Sequence, residues 1–100
     1  MPINIYIEDT KEKIAWLCDN NWILIDQFNE FERWIIVNIK SLDPSRSYIA
    51  DIGFSANGDA RAGGPAFHIE LMKLLIAYNV NVYISEYPPT ISNQYGINLN

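Results

Sequence analysis

The 100-residue chain has one cysteine, Cys18, and one histidine, His68. A single cysteine cannot form an internal disulfide, and one cysteine with one histidine cannot supply the ligand sets of structural zinc sites. A lone cysteine is typical of proteins from a reducing compartment, so we expect a cytoplasmic protein. We also expect it to hold no metal ion and no cofactor.

Long apolar runs and basic residues are scarce as well. No apolar run approaches the roughly 18 residues of a membrane-spanning helix, and the opening MPINIYIEDT lacks the regions of a signal peptide. Seven lysines and arginines stand against twelve aspartates and glutamates, a net charge of -5. That charge repels a phosphate backbone, so we expect neither direct nucleic-acid binding nor membrane binding. A cationic partner protein would be attracted.

Hydrophobic residues, in contrast, make up 49% of the chain, which is enough for a packed core and argues against disorder. The length fits one domain. We expect a single domain over residues 1–90 and a loosely ordered tail over residues 91–100, whose sequence is polar.

Hydrophobic periodicity predicts a β-α-β-β-β-α-β order. The predicted strands are 3–7, 22–26, 34–39, 48–54 and 82–86, and the predicted helices are 9–20 and 65–78. Strands that follow one another on short links favour antiparallel pairing, so we expect an α+β domain with a mostly antiparallel sheet of about five strands. Two helices would cover one face, and the other face would carry the remaining tryptophans, tyrosines and acids.

Residues 55–65, SANGDARAGGP, contain three of the five glycines. The glycine spacing is that of a Walker loop, but the required Lys and Ser/Thr are absent, and Pro65 removes a backbone donor. The stretch is therefore a strand-to-helix connection or a partner-binding loop. In the second case Asp59 and Arg61 would be its polar contacts.

The segment DQFNEFERW, residues 26–34, interleaves three acids with three aromatics. If a hairpin turn lies at its centre, Phe28 and Phe31 cannot easily both reach the core, and one or both rings are exposed. Exposed rings among the acids Asp26, Glu30 and Glu32 are typical of a protein interface. The alternative is a solvated hairpin whose rings turn inward.

An enzyme would need His68 to converge with a carboxylate, for which Asp51, Glu70 and Glu86 are the candidates. Their spacing shows no diagnostic pattern, and Cys18 has no activating base beside it. A structural role is a further alternative, because the second predicted helix is apolar nearly all round and would suit a homodimer interface. We therefore expect the protein to be a monomer or a weak homodimer.

The last predicted strand is followed by Pro88 and Pro89. These prolines would protect an exposed edge from further pairing, which is the safer interpretation. The same edge could also accept a strand from a partner.

The run DIGFSANGDARAGGPAFHIELMKLLIAYNVNVYISEYP resembles segments of small immunity proteins from bacterial contact-dependent inhibition and related polymorphic toxin systems. The resemblance covers about residues 48–88. It implies a non-catalytic protein that covers the active site of a cognate toxin, a nuclease or ribonuclease above all. Such a toxin carries cations for phosphate, which acids of the inhibitor can mimic. The acids to test are Asp26, Glu30, Glu32, Asp51, Asp59 and Glu86.

Overall fold

A computed structural model describes residues 2–55 and 64–88. Its elements are β1 (Ile3–Ile7), β2 (Lys13–Leu17), α1 (Leu24–Asn38), a single 3₁₀ turn (Ile39–Ser41), β3 (Tyr48–Ser55), α2 (Ile69–Ala77) and β4 (Val80–Tyr87). The predicted loop contacts Asp59 and Arg61, and the predicted tail 91–100, lie outside the described residues.

The strands form one sheet in the order β2-β1-β3-β4. β1 pairs antiparallel with β2 and with β3, whereas β3 and β4 are parallel and are joined through α2, as parallel neighbours require a crossover. The predicted α+β class is confirmed, with two helices on one face of a mostly antiparallel sheet. Over residues 2–55 and 64–88 the sheet has four strands, close to the predicted number of about five.

The core lies between this sheet and the two helices. On β1 and β3 every second residue points towards the helices, which is the period of a strand with one covered face. On α1 the inward side chains recur at helical spacing. The side chains that meet there are Ile3, Ile5, Ile7, Phe28, Phe31, Ile35, Tyr48, Ala50, Ile52, Leu71 and Leu75.

The helix predicted over residues 9–20 is wrong, because β2 occupies the centre of that segment. The backbone turns after β1, where Ile7 N–H donates to Glu12 O at 2.9 Å and Lys11 takes a positive φ of 63°. Ala15 and Leu17 then pack against the core at strand spacing. Pairing with β1, a contact distant in sequence, decides the conformation of a segment whose local pattern also fits a helix.

The strands predicted over 22–26 and 34–39 are also wrong, because most of both segments belongs to α1. Phe28, Phe31 and Ile35 are spaced so that a helix buries all three on one face, which a hairpin with a turn near Asn29 could not do. The burial of these side chains outweighs the strand preference of the β-branched residues at the two ends.

The second helix begins later than predicted. Residues 65–68 precede α2, and His68 is its extended N-cap residue, so neither Pro65 nor His68 lies in the first turn. At the other end Asn79 takes a left-handed conformation with φ 57° and ends the helix as predicted.

Gln27 ties α1 to the sheet and to the loop before it. Its side chain is fully buried, and Nε2 donates to Gly53 O on β3 and to Asn21 O, each at 2.8 Å. The loop is also held at Trp22, whose carbonyl accepts a hydrogen bond from Ser55 N–H at 3.1 Å. One amide therefore satisfies two carbonyls that come together at the start of α1.

Replacing Gln27 by glutamate tests this clamp with almost no change in shape. The carboxylate would place a negative charge against two carbonyl oxygens, so we expect Gln27→Glu to lower the free energy of unfolding by about 3 kcal/mol or more at neutral pH. The loss should shrink as the pH falls, because the protonated acid is uncharged and can donate to one carbonyl.

Urea denaturation between pH 7 and pH 4 measures this loss. Asn20→Asp, the same chemical change at an exposed loop position, is the control and should change stability by no more than about 0.5 kcal/mol. If Gln27→Glu behaved like the control, the clamp would not carry the role assigned to it.

Candidate protein-binding surface on the first helix

The outward side of α1 bears a cleft of about 410 Å³ that lies between the helix and the loop after β2. Asp26, Glu30 and Arg33 fall on one stripe of the helix because they are three and four residues apart. The lining side chains are Cys18, Asn21, Asp26, Asn29, Glu30 and Arg33, and we call this feature the acidic cleft.

The loop side of the acidic cleft is built by a tight turn. Cys18 takes a left-handed conformation with φ 57°, and its carbonyl accepts a hydrogen bond from Asn21 N–H at 3.1 Å. Asn21 then bridges to the helix: its Oδ1 accepts from Ile23 N–H at 3.0 Å, and its Nδ2 donates to Asp26 Oδ2 at 3.2 Å. These bonds fix Asp26 relative to the loop that forms the opposite wall.

The Cys18 thiol reports the electrostatic character of the cleft. Its pKa is raised, first by burial and then by the negative charges of Glu30 and Asp26, against a smaller opposing effect of Arg33. A raised pKa keeps the thiol protonated, so Cys18 is not an activated nucleophile. The two carboxylates outweigh the guanidinium, and the cleft is negative.

Among the described residues that line the cleft, one side chain is basic, and it is held weakly. Arg33 forms an ion pair with Glu30 one turn earlier on α1, and the Arg33 side chain is 69% exposed. Exposed ion pairs of this kind contribute only about 0–1 kcal/mol. Another cation could therefore replace Arg33 at Glu30 at small cost.

A shallow groove of about 260 Å³ adjoins the acidic cleft and shares Asn29 and Arg33 with it. Its other lining side chains are Glu32, Ile36 and Val37. Ile36 is 60% exposed and Val37 is 72% exposed, which leaves apolar surface directly beside the charged residues. We call the cleft and the groove together the α1 surface.

Glu32 also makes the contact that an enzyme would need at the histidine. His68 Nδ1 lies 3.0 Å from Glu32 Oε2, so the carboxylate that converges on the histidine is not Asp51, Glu70 or Glu86. The His68 side chain is 57% exposed and stands at the start of α2. The pair can orient an imidazole, but it stands in water and not in a closed site.

The α1 surface brings together three of the predicted partner contacts, Asp26, Glu30 and Glu32. The prediction that Phe28 or Phe31 is exposed beside them is wrong, because the segment is a helix and both rings are buried, Phe28 at 5% and Phe31 at 0% exposure. The apolar part of the surface comes from aliphatic side chains instead.

The predicted contacts Asp51 and Glu86 lie elsewhere. Asp51 is on β3, on the side of the sheet that faces away from the helices, in register with Asn4 on β1 and Tyr83 on β4. Trp16 on β2 completes that row, so this face carries tryptophan, tyrosine and an acid as expected. Glu86 is exposed near the end of β4. A partner bound to the α1 surface would not contact Asp51, because Asp51 lies on the opposite face of the sheet.

Sequence reasoning missed the lining residues Cys18, Asn21, Asn29, Arg33, Ile36 and Val37. The spacing of Asp26, Glu30, Arg33 and Val37 is helical and would have grouped most of them, had the segment been assigned to a helix. No sequence signal could have placed Cys18 in the cleft, because it comes close to α1 only where the chain reverses direction after β2.

Over residues 2–55 and 64–88, no helix is long and apolar enough to cross a membrane. The same part of the chain has no cluster of three or more metal-ligating side chains. Comparison with protein-family models, with curated proteins and with solved structures gives no match. A proposal of function therefore depends on the geometry and charge of the surfaces.

The negative charge of the cleft can be measured at the Cys18 thiol. Neutralising both carboxylates in Asp26→Asn/Glu30→Gln removes two causes that raise the pKa of this thiol, so a larger fraction is thiolate at pH 8. We expect faster reaction with a disulfide reagent than in the unchanged protein.

A second variant, Glu12→Gln/Glu70→Gln, changes the net charge equally at exposed positions away from the cleft and serves as the control. Its thiol should react at the original rate. Equal rates in all three proteins would show that the two carboxylates do not govern the potential at Cys18.

Proposed function

We propose that the protein is a non-catalytic cytosolic inhibitor that neutralises a basic protein toxin, of the nuclease class, in the manner of an immunity protein. The α1 surface is the docking surface, and a lysine or arginine from the active site of the toxin enters the acidic cleft. The observation that carries the proposal is the concave arrangement of Asp26 and Glu30 beside exposed apolar groups.

The groups in the cleft suit a cationic side chain. Asp26 Oδ2 and Glu30 Oε1 are acceptors, and the side chains of Asn21 and Asn29 add amide oxygens or donors at the rim. An entering guanidinium would meet both charge and hydrogen-bond acceptors, which is the combination that gives strong ion pairs. In a complex with a nuclease, carboxylates that enter the active site would take the place of the phosphates of a nucleic acid.

Binding requires little rearrangement of the inhibitor. Arg33 is already exposed and can leave Glu30 without unfolding part of the helix. Asp26 is held by Asn21, so its carboxylate is positioned before the partner arrives. A preorganised acceptor loses little conformational entropy on binding.

The groove beside the cleft supplies the apolar part of the interface. Ile36 and Val37 on α1 are exposed side chains without charge, and burying them against a partner removes apolar area from water. The net charge of -5 raises the encounter rate with a basic partner. This electrostatic attraction weakens as the salt concentration rises.

The test uses the protein encoded by the gene immediately upstream, purified as a catalytically inactive variant. We expect a complex whose affinity falls as salt rises. The variant Asp26→Asn/Glu30→Gln should weaken binding at least about tenfold, because it leaves the entering cation without a partner.

The control Glu12→Gln/Glu70→Gln has the same net charge as that variant and should weaken binding far less. Loss of affinity that depended only on net charge, equal in both variants, would contradict docking at the α1 surface. The absence of any binding at low salt would contradict the proposed function as a whole.

A small enzyme that uses His68 is the second candidate, and the contact between His68 and Glu32 is the observation that favours it. Stoichiometry separates the two functions. A binding inhibitor abolishes toxin activity at one molecule per toxin, whereas an enzyme does so below that ratio.

We expect a one-to-one end point in a titration of toxin activity. The variant His68→Gln should leave that end point unchanged, since the side chain lies outside the acidic cleft. If much less than one molecule per toxin abolished the toxin activity, and if His68→Gln removed this effect, the enzyme would be favoured.

A further inference from the structure

Among the strands that the structure describes, β2 and β4 are the outer ones, and they differ in how far they resist further pairing. β2 has five residues, and its pairing with β1 is interrupted by a register shift that leaves Ile14 opposite no residue. Lys13 begins the strand, and Lys11 and Cys18 on either side of it have positive φ. Short length, a bulge and lysine are the devices by which proteins blunt an edge.

β4 has none of these devices within its length, because Pro88, which was expected to protect the edge, follows the last residue that pairs with β3. It runs for eight residues, VNVYISEY, without lysine, arginine or proline, and its pairing with β3 is unbroken from Val80 to Tyr87. Within the described ranges no strand lies on its outer side. Tyr83 is 54% exposed and Ile84 is 49% exposed, so the edge is also partly apolar. Such an edge is a template for another strand.

The hydrogen-bond pattern shows which residues of β4 face outward. Tyr48 N–H donates to Asn79 O, and Tyr48 is in register with Val80. In a parallel pair every second residue directs its N–H and C=O to the neighbour, so the odd-numbered residues of β4 bond to β3. The outward N–H and C=O groups therefore belong to Val80, Val82, Ile84 and Glu86.

An antiparallel pair of two β4 strands can be centred on Tyr83 so that every outward-facing residue has a partner. When two copies lie antiparallel with Tyr83 facing Tyr83, Val82 meets Ile84 and Asn81 meets Ser85. Val80 meets Glu86, and all the outward-facing residues pair with one another. Centring the pair on Val82 or on Ile84 would leave one outward residue without a partner.

We propose that β4 pairs with β4 of a second copy of this chain, antiparallel and with Tyr83 at the two-fold axis, to form one continuous sheet. This proposal concerns a different surface from the acidic cleft and does not rest on the proposed function. A second copy is the proposed occupant because this register pairs every outward N–H and C=O of one strand with the other and keeps the two acids apart.

Charge and the flanking helix fit this arrangement. Glu86 is the one charged residue of β4, and in this register the two copies of Glu86 lie at opposite ends of the junction, where they do not repel. The axis is perpendicular to the sheet, so both α2 helices lie on the same side of the junction. α2 carries the exposed side chains Ile69, Met72 and Ile76. The α1 surface is left available in each copy.

The test is disulfide formation between single cysteines, made in a Cys18→Ser background. Directly opposed residues of a non-hydrogen-bonded antiparallel pair have Cβ atoms about 4.5–5.5 Å apart, close enough for a disulfide after small adjustments. We expect Tyr83→Cys to form a covalent dimer on mild oxidation. Trp16→Cys, at 51% exposure on the same face of the blunted edge strand, should form no disulfide-linked dimer under the same conditions.

Ile84→Cys is the control for register, because Ile84 meets Val82 and not itself. A dimer linked only through Ile84→Cys, or equal linking at all three positions, would overturn the proposal. Sedimentation of the unchanged protein should show a dimer, and a monomer at all concentrations would overturn it as well.

Ile84→Pro supplies a second variant that leaves the pairing with β3 intact, since the N–H it removes faces outward. We expect this variant to keep the circular dichroism of the folded protein and to sediment as a monomer. A folded Ile84→Pro that remained a dimer would contradict pairing through this edge.

Discussion

The buried carboxamide of Gln27 is the interaction on which the arrangement of this domain depends. It joins the loop after β2, the start of α1 and the centre of β3 through two hydrogen bonds donated by one nitrogen. Without it, the Asn21 and Gly53 carbonyls would each need another donor, and at the buried Gly53 carbonyl the lack of one would cost about 1–3 kcal/mol. The same contact holds Asn21 against α1, and Asn21 in turn positions Asp26. A core interaction thus fixes the geometry of the surface that we assign to partner binding.

The two surfaces singled out above are separated by the architecture. The acidic cleft lies where α1 meets the turn after β2, on the β2 side of the sheet, and the unprotected edge belongs to β4 on the other side. A dimer through β4 would therefore present two α1 surfaces that point away from the junction. The proposed inhibition of a toxin and the proposed self-association are then compatible, and separate substitutions test each of them.

The parts of the fold that could be predicted are those whose local hydrophobic pattern fits only one type of secondary structure. Alternation in 3–7 and 48–54 fits only a strand, and the apolar residues of α2 repeat at helical spacing. The pattern of residues 9–20 fits both a helix and a strand. Ile14, Leu17 and Cys18 would share one face of a helix, whereas Ala15 and Leu17 share one face of a strand. Pairing with β1 selects the strand. Residues 22–39 combine β-branched side chains, which favour a strand, with Phe28, Phe31 and Ile35 at helical spacing. The burial of these three side chains on one face selects the helix. The acids Asp26, Glu30 and Glu32 were found because they are clustered in sequence, whereas their cleft depends on contacts that no local pattern contains.

The central claim is that a basic partner docks on the outer side of α1. Hydrogen–deuterium exchange with mass spectrometry tests it most directly, on the complex with the upstream-encoded toxin and on the free protein. Added protection should be concentrated in peptides that cover residues 18–38, with β3 and the outward face of the sheet unchanged. Protection confined to peptides from β1 and β3, with residues 18–38 unaffected, would place the partner on the opposite face and contradict the claim.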